Sequence, residues 1–231
     1  LEDREVIDIN KQFLGNDPEL EKKIRYLGKI TNKAYGELPS RNEALDRFGL
    51  PNKKTILISL GRNCRVIDLS KRFLEMLERT GVGDNYQVVM VMDPYLDNGV
   101  AQELCCNPLS KNVRFLPFVP DLVDLVHHSD LVICRAGYNT VNEILLTGTK
   151  AIVIPENHGG GEQELRAQSV HEGNICISTE DEILFNNPDN LLCDILNRPA
   201  SRVSFKFDKY AVGKSILDDL EDWKARPRPC R

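Results

Sequence analysis

No apolar run in this sequence approaches the ~18 consecutive residues that a membrane-spanning helix needs, and the N-terminus carries no signal-peptide pattern. Both absences predict a soluble, cytoplasmic protein, with peripheral membrane contact left open. An excess of basic residues is also missing: 30 Lys and Arg stand against 35 Asp and Glu, a net charge of −5. The phosphate footprint of a nucleic-acid-binding protein is therefore not there, and nucleic acid is not expected as a partner. Seven cysteines, Cys64, Cys105, Cys106, Cys134, Cys176, Cys193 and Cys230, include no C-x-x-C pair and are odd in number. Several sit inside apolar runs, which suits reduced, buried thiols better than a disulfide framework or a zinc site. The G-x-G-x-x-G fingerprint is lacking, which removes a dinucleotide-dependent oxidoreductase, and so is the Walker loop. Without a G-x-S-x-G elbow, the His158-Gly159-Gly160-Gly161 run has no serine nucleophile to serve as an esterase oxyanion loop.

What is present is an ordinary globular composition, 41% hydrophobic over 231 residues, enough for a sizeable core. Residues 1–50 are charged and broken by Gly15, Pro18, Gly28, Gly36 and Pro39, with one short strand candidate at Ile24 to Ile30. They read as a linker or the remnant of an upstream domain. The start at Leu1 rather than Met fits a processed or truncated chain. From Lys54 onward short apolar runs alternate with helical stretches, the pattern of βαβ units that build a parallel sheet. Strands are predicted at Thr55 to Leu60, Gln87 to Met92, Val113 to Phe118, Leu131 to Cys134, Ala151 to Ile154 and Ile175 to Ser178. Helices are predicted at Val66 to Thr80, Asn98 to Cys106, Leu122 to His127, Thr140 to Thr147 and Gln163 to Glu172. A last amphipathic stretch, Ala211 to Lys224, places Ile216, Leu217, Leu220 and Trp223 on one face, expected to pack on the sheet or on a missing partner.

Ligands of open parallel sheets bind beyond the carboxyl ends of the strands, so the loops there are the ones to read. After the first strand, Gly61 in Ser59-Leu60-Gly61-Arg62-Asn63-Cys64 permits a tight turn before a helix N-terminus, either a pyrophosphate loop or an ordinary strand-to-helix turn. After the fourth, Gly137 precedes a helix, Asn139 and Thr140 can contact an anion, and Arg135 can add a positive charge. Glu143 at the edge of this site can accept hydrogen bonds from two vicinal ribose hydroxyls. Thr140-Val141-Asn142-Glu143 equally fits a helix capping box that needs no ligand. After the fifth strand, Gly159-Gly160-Gly161 makes a turning loop, and Glu162 and Gln163 open the next helix with groups suited to sugar hydroxyls or to plain solvent.

The ordered set Phe118-Val119-Pro120-Asp121, Ser129 to Ile133, Arg135-Ala136-Gly137, Thr140, Glu143, Ile154-Pro155, Glu162-Gln163 and Arg166-Ala167 resembles the donor-binding region of one glycosyltransferase family. Its best-known relative is the enzyme that adds N-acetylglucosamine to the lipid-linked peptidoglycan precursor. The similarity is specific from Val113 to Ala167 and weaker from Gly28 to Ser178. The resemblance implies the donor half of a GT-B fold: residues 51–231 as an α/β, Rossmann-like domain, a parallel sheet with helices on both faces, which binds a nucleotide sugar. It implies Gly61 under the diphosphate, main-chain groups of Phe118 and Val119 at the base edge, Gly137 and Thr140 at the phosphates, Glu143 on the ribose, and Glu162 and Gln163 on the sugar. The donor is expected to be UDP-linked and a substrate, with no cofactor and no metal, since no Asp-x-Asp triplet is present.

Three departures stand out. Arg62 and Asn63 replace additional glycines of the first loop, and Glu162 stands where relatives often carry Asp, His or Gln. The acceptor domain, which commonly holds the catalytic base, is expected N-terminal to Leu1, as a domain or a partner subunit, with any peripheral membrane contact made through it. A UDP-sugar hydrolase, an epimerase of the same architecture, and a non-catalytic donor-binding subunit of a split transferase are the competing readings.

Overall fold

Six short runs of aliphatic residues form the strands, and four of them are buried along most or all of their length because helices cover both faces of the sheet. In the computed structural model, which describes residues 4–61, 65–156, 161–170, 173–199 and 209–225, these are β1 (Thr55–Ser59), β2 (Gln87–Val91), β3 (Val113–Leu116), β4 (Leu131–Arg135), β5 (Ala151–Ile154) and β6 (Ile175–Ile177). All pairings are parallel, in the order β3-β2-β1-β4-β5-β6. The α/β Rossmann-like class read from the sequence is the one observed.

Three short helices precede the sheet: α1 (Ile9–Phe13), α2 (Pro18–Glu21) and α3 (Arg41–Arg47). The crossovers hold α4 (Val66–Arg79), α5 (Val82–Asn85), α6 (Asn98–Cys105), α7 (Leu122–His128), α8 (Tyr138–Thr147) and α9 (Glu162–Ser169). After β6 come α10 (Glu180–Phe185), α11 (Asp189–Asn197) and α12 (Lys209–Ala225). Side chains alternate across each strand, so the core has two halves. On one face Ile56, Ile58, Met90, Ile133 and Ile152 meet Leu69, Phe73 and Leu77 of α4, with Ile183, Leu192 and Ile195 of α10 and α11. On the other, Leu57, Val89, Val132 and Val153 meet Leu125 and Val126 of α7, Val141 and Ile144 of α8 and Ala167 of α9.

The first fifty residues depart furthest from expectation. The candidate strand Ile24 to Ile30 does not form, and residues 28–50, within the stretch read as a linker or the remnant of an upstream domain, are docked on the domain. Leu45 of α3 and Leu50 are buried in the second core half, and the Tyr138 hydroxyl donates to Gly28 O at 2.8 Å and accepts from Ile30 N at 3.0 Å. Asp124, wholly buried in α7, receives Lys33 Nζ at 2.7 Å and Arg47 Nη1 at 2.6 Å. These contacts are long-range, and nothing in the local pattern of residues 28–50 announces them. Of the two places expected for the apolar face of α12, the sheet is not the one observed: Ile216, Leu217 and Leu220 are exposed, and Arg25 reaches Asp219 at 3.1 Å. The side chain of Trp223 lies outside the described residues, as do residues 171–172 of the expected Gln163 to Glu172 helix. Among the described residues no helix is long and apolar enough to cross a membrane.

The carboxylate of Asp124 is the buried member of its triad, so stripping its cations should cost more than removing the whole charge set. Lys33→Met with Arg47→Met is expected to lower unfolding stability by about 3 kcal/mol, and adding Asp124→Asn should recover more than half of that loss. Urea unfolding of the double and triple variants checks it; equal stability of the two would show that the triad is not what ties residues 28–50 down.

Candidate functional site

The strand order reverses direction between β1 and β4: from β1 the chain proceeds towards β3, and from β4 towards β6. Crossovers on the two sides of that switch cover opposite faces, which opens a crevice at the carboxyl ends of β1 and β4. The register places Ser59 beside Cys134 and Arg135 beside Ile154, so the loops after β1, β4 and β5 leave the sheet at one level. Three of the sequence-predicted segments therefore converge there, around Gly61, Gly137 and Glu162.

Gly61 has φ +65°, a left-handed backbone that favours glycine. Arg62, with Asn63 and Cys64, lies outside the described residues. Gly137 has φ −66° and ψ 145°, an extended conformation open to any residue, and a Cβ built on it would meet nothing within 4 Å. Neither the backbone nor the protein packing demands glycine at 137. This residue is the N-cap of α8, and its carbonyl accepts the first helical bond, from Val141 N at 3.0 Å. Gly137 has no side chain with which to cap the helix, so the first turn, residues 138–140, presents its backbone N–H groups at the positive end of a ten-residue dipole. The capping-box alternative fails here. Thr140 is the third residue of a helix that starts two residues earlier than expected, and Glu143 lies a turn further in. Asn139 is exposed at this mouth and Thr140 half-buried.

Glu143 is only 6% exposed, and its carboxylate has no hydrogen-bond or ion-pair partner among the described residues. Burial, and secondarily the charges of Asp121 and Asp124, push its carboxyl up from the ordinary 4.5 to about 7. In the loop after β3, Phe118 is 62% exposed and Val119 is buried in the second core half. At the start of α9, Glu162 is exposed and reaches back to Arg166, and Gln163 accepts from Glu156 N at 3.0 Å and donates to Glu156 Oε2 at 3.2 Å. Arg135, expected to offer its charge to an anion, instead turns into the protein. Its Nη2 lies 2.6 Å from Glu180 Oε1, with both side chains nearly buried. Glu180 is the member of this region that the sequence does not point to, and Arg166, quoted there within the resemblance, carries no role in it. The i, i+4 spacing of Glu162 and Arg166 was a legible signal, whereas Glu180, far along the chain, offered none. Among the described residues no group of three or more His, Cys, Asp or Glu is arranged to hold a metal ion.

A carboxyl whose value is raised on folding contributes stability below its unfolded value and loses it as pH rises towards the folded one. For Glu143 that window runs from 4.5 to about 7. Glu143→Gln, which removes the titration, should gain on the wild type by about 2 kcal/mol between pH 5 and pH 8, measured by urea unfolding at both. A constant difference would show the carboxylate to be solvated or paired.

With this geometry in view, comparison with known proteins is direct. Residues 64–197, more than half of the chain, match the glycosyltransferase family 28 C-terminal domain. Curated relatives include a UDP-N-acetylglucosamine–N-acetylmuramyl-(pentapeptide) pyrophosphoryl-undecaprenol N-acetylglucosamine transferase from Corynebacterium glutamicum strain R. It is 33% identical over 165 residues, covering 71% of this chain and 44% of that protein. The enzyme of the same name from Leuconostoc mesenteroides is 26% identical over 171 residues, covering 70% and 45%. The chain thus spans about half the length of the curated relatives it matches. Among solved structures, a glycosyltransferase from Rickettsia africae superposes with a TM-score of 0.62 at 14% identity, covering 96% of this chain and 63% of that one. MurG of Acinetobacter baumannii superposes with a TM-score of 0.55 at 19% identity, covering 82% and 55%. These neighbours share the fold, that of the GT-B glycosyltransferases. The parallel sheet, the helix N-terminus at its switch point and the match across residues 64–197 lead to one assignment: the chain belongs to glycosyltransferase family 28 and carries its C-terminal domain.

Proposed function

We propose that this domain binds a nucleoside diphosphate sugar, UDP-linked, as the donor half of a glycosyltransferase that moves the sugar to an acceptor hydroxyl without a metal ion. The observation that carries the reading is the pairing of a helix N-terminus that starts on a glycine with a buried carboxylate on the same helix that has no partner among the described residues. Gly137 and Glu143 are separated by about 9 Å along the axis of α8, and helical side chains lean towards the N-terminus. A diphosphate seated on the N–H groups of residues 138–140 puts the adjoining ribose within reach of Glu143, whose carboxylate accepts from both hydroxyls. The sugar then lies towards Glu162 and Gln163, with Gly61 beneath the diphosphate and the base against the main chain of Phe118 and Val119. The uridine assignment is supported by the donor named for the curated relatives.

As the glycosidic bond breaks, negative charge grows on the leaving diphosphate. Fixed N–H donors and the helix dipole stabilise that charge without reorganising, which lowers the barrier. The acceptor, and with it the catalytic base, is contributed by a domain or partner subunit on the N-terminal side, in keeping with relatives about twice as long.

Thermal shift with UDP, GDP, TDP and NAD side by side tests the donor site, because a ligand that binds only the folded state raises its melting temperature. UDP is expected to give the largest shift. Gly137→Ala should melt like the wild type without ligand and lose that shift, since its added methyl disturbs no protein atom and obstructs close approach of a diphosphate. No shift of the wild type with any nucleoside diphosphate would sink the assignment.

Glu143 allows a finer check. Exchanging its carboxylate for an amide weakens charge-assisted bonds worth roughly 1.5–3 kcal/mol, so Glu143→Gln should bind UDP about tenfold or more weakly. It should also discriminate little between UDP and 2′,3′-dideoxy-UDP. Calorimetric titration decides; wild-type affinity in the variant would remove Glu143 from the ribose.

A further inference from the structure

Arg166 is an unusual residue to find inside a domain: its side chain is 2% exposed, among the largest fully buried ones in the protein. Burying a guanidinium is costly unless its donors are met, so what meets them shows what it holds in place. Its Nη1 donates to Ala136 O at 2.7 Å, the carbonyl immediately before the N-cap of α8. Its Nη2 donates to the carboxylate of Glu162, one turn earlier on α9. Its Cζ lies over the ring of Tyr138, the first residue of α8, 5.8 Å from the ring centre. One rigid fork therefore spans the turn that faces the diphosphate and the side chain that faces the sugar.

The two ends of the pair differ in freedom. The guanidinium is enclosed, whereas the Glu162 side chain is 56% exposed. A carboxylate has two oxygens and about four acceptor positions. With Oε1 held by Arg166, Oε2 remains available to a hydroxyl in the crevice.

We infer that Arg166 is a positioning residue for donor recognition: it fixes the carboxylate of Glu162 at a set distance from the α8 N-terminus, so that the domain distinguishes a nucleotide sugar from the bare nucleotide. The inference rests on the donor site proposed above and adds to it the element that ties sugar recognition to diphosphate recognition. Lysine cannot replace arginine in this task, because a single ammonium lacks the planar fork that serves two acceptors at once.

The test compares dissociation constants for UDP and UDP-N-acetylglucosamine by calorimetry in the wild type, Arg166→Lys, Glu162→Gln and the double variant. The wild type should bind the nucleotide sugar more tightly than UDP. Arg166→Lys should leave UDP affinity within about threefold and erase most of the preference for the sugar. In the Glu162→Gln background, which has already lost that preference, adding Arg166→Lys should change it no further. Where the lysine variant shows no cooperative melting, Arg166→Gln, which keeps an amide donor for Ala136 without the charge, carries the same expectation. A variant that weakens both ligands in equal proportion gives Arg166 a structural role only and overturns the inference while the donor site stands. A wild type that binds neither ligand overturns both.

Discussion

Parallel pairing of all six strands is the constraint on which the rest of the molecule hangs. A strand that must re-enter the sheet in the same direction has to cross back over one face, so each carboxyl end opens into a loop on the same edge. Once β1 and β4 lie side by side with crossovers on opposite faces, the loops after them are forced apart and a crevice forms at their ends. The N-terminus of α8 is placed in that crevice by topology. What Gly137 adds is the lack of a side chain at the N-cap: it contributes no side-chain cap to α8, and at position 137 the wall carries only a hydrogen.

Much of this was legible in the sequence because it is written in local pattern. The Ala151 to Ile154 strand has the expected bounds, and the other strands differ by a residue or two, since fully apolar runs between helical stretches admit few alternatives. The sequence leaves the start of α8 open between Gly137 and the capping box that Thr140 and Glu143 imitate; the structure starts it at Tyr138, with Gly137 as the cap. Residues 28–50 were misjudged for a different reason. Their place is held by Tyr138, Asp124 and the second core half, partners scores of positions away. Of the candidate site, Gly61 and Gly137 follow neighbouring strands, Asn139, Thr140 and Glu143 share α8, and Arg166 ties Glu162 to Ala136, but the burial of Glu143 and the inward turn of Arg135 depend on packing that no motif encodes.

Two buried arginines flank the turn from β4 to α8: Arg135 meets a glutamate on a later helix, Arg166 one on its own helix, a turn earlier. The Arg135–Glu180 pair is enclosed at both ends and joins β4 to α10. The Arg166–Glu162 pair is enclosed at one end only. Charge is thus conserved in both pairs while freedom is not: the first is a structural tie, and the second leaves its acidic member facing the crevice.

The hydroxyl of Tyr138 links this region to the N-terminal segment through its two bonds, to Gly28 and Ile30. Because Tyr138 is also the first residue of α8, the helix end cannot shift without moving residues 28–30 or breaking both contacts, at roughly 1 kcal/mol each. The tyrosine therefore works as a pin: the first turn of α8 and residues 28–30 hold one position relative to each other, one side chain apart.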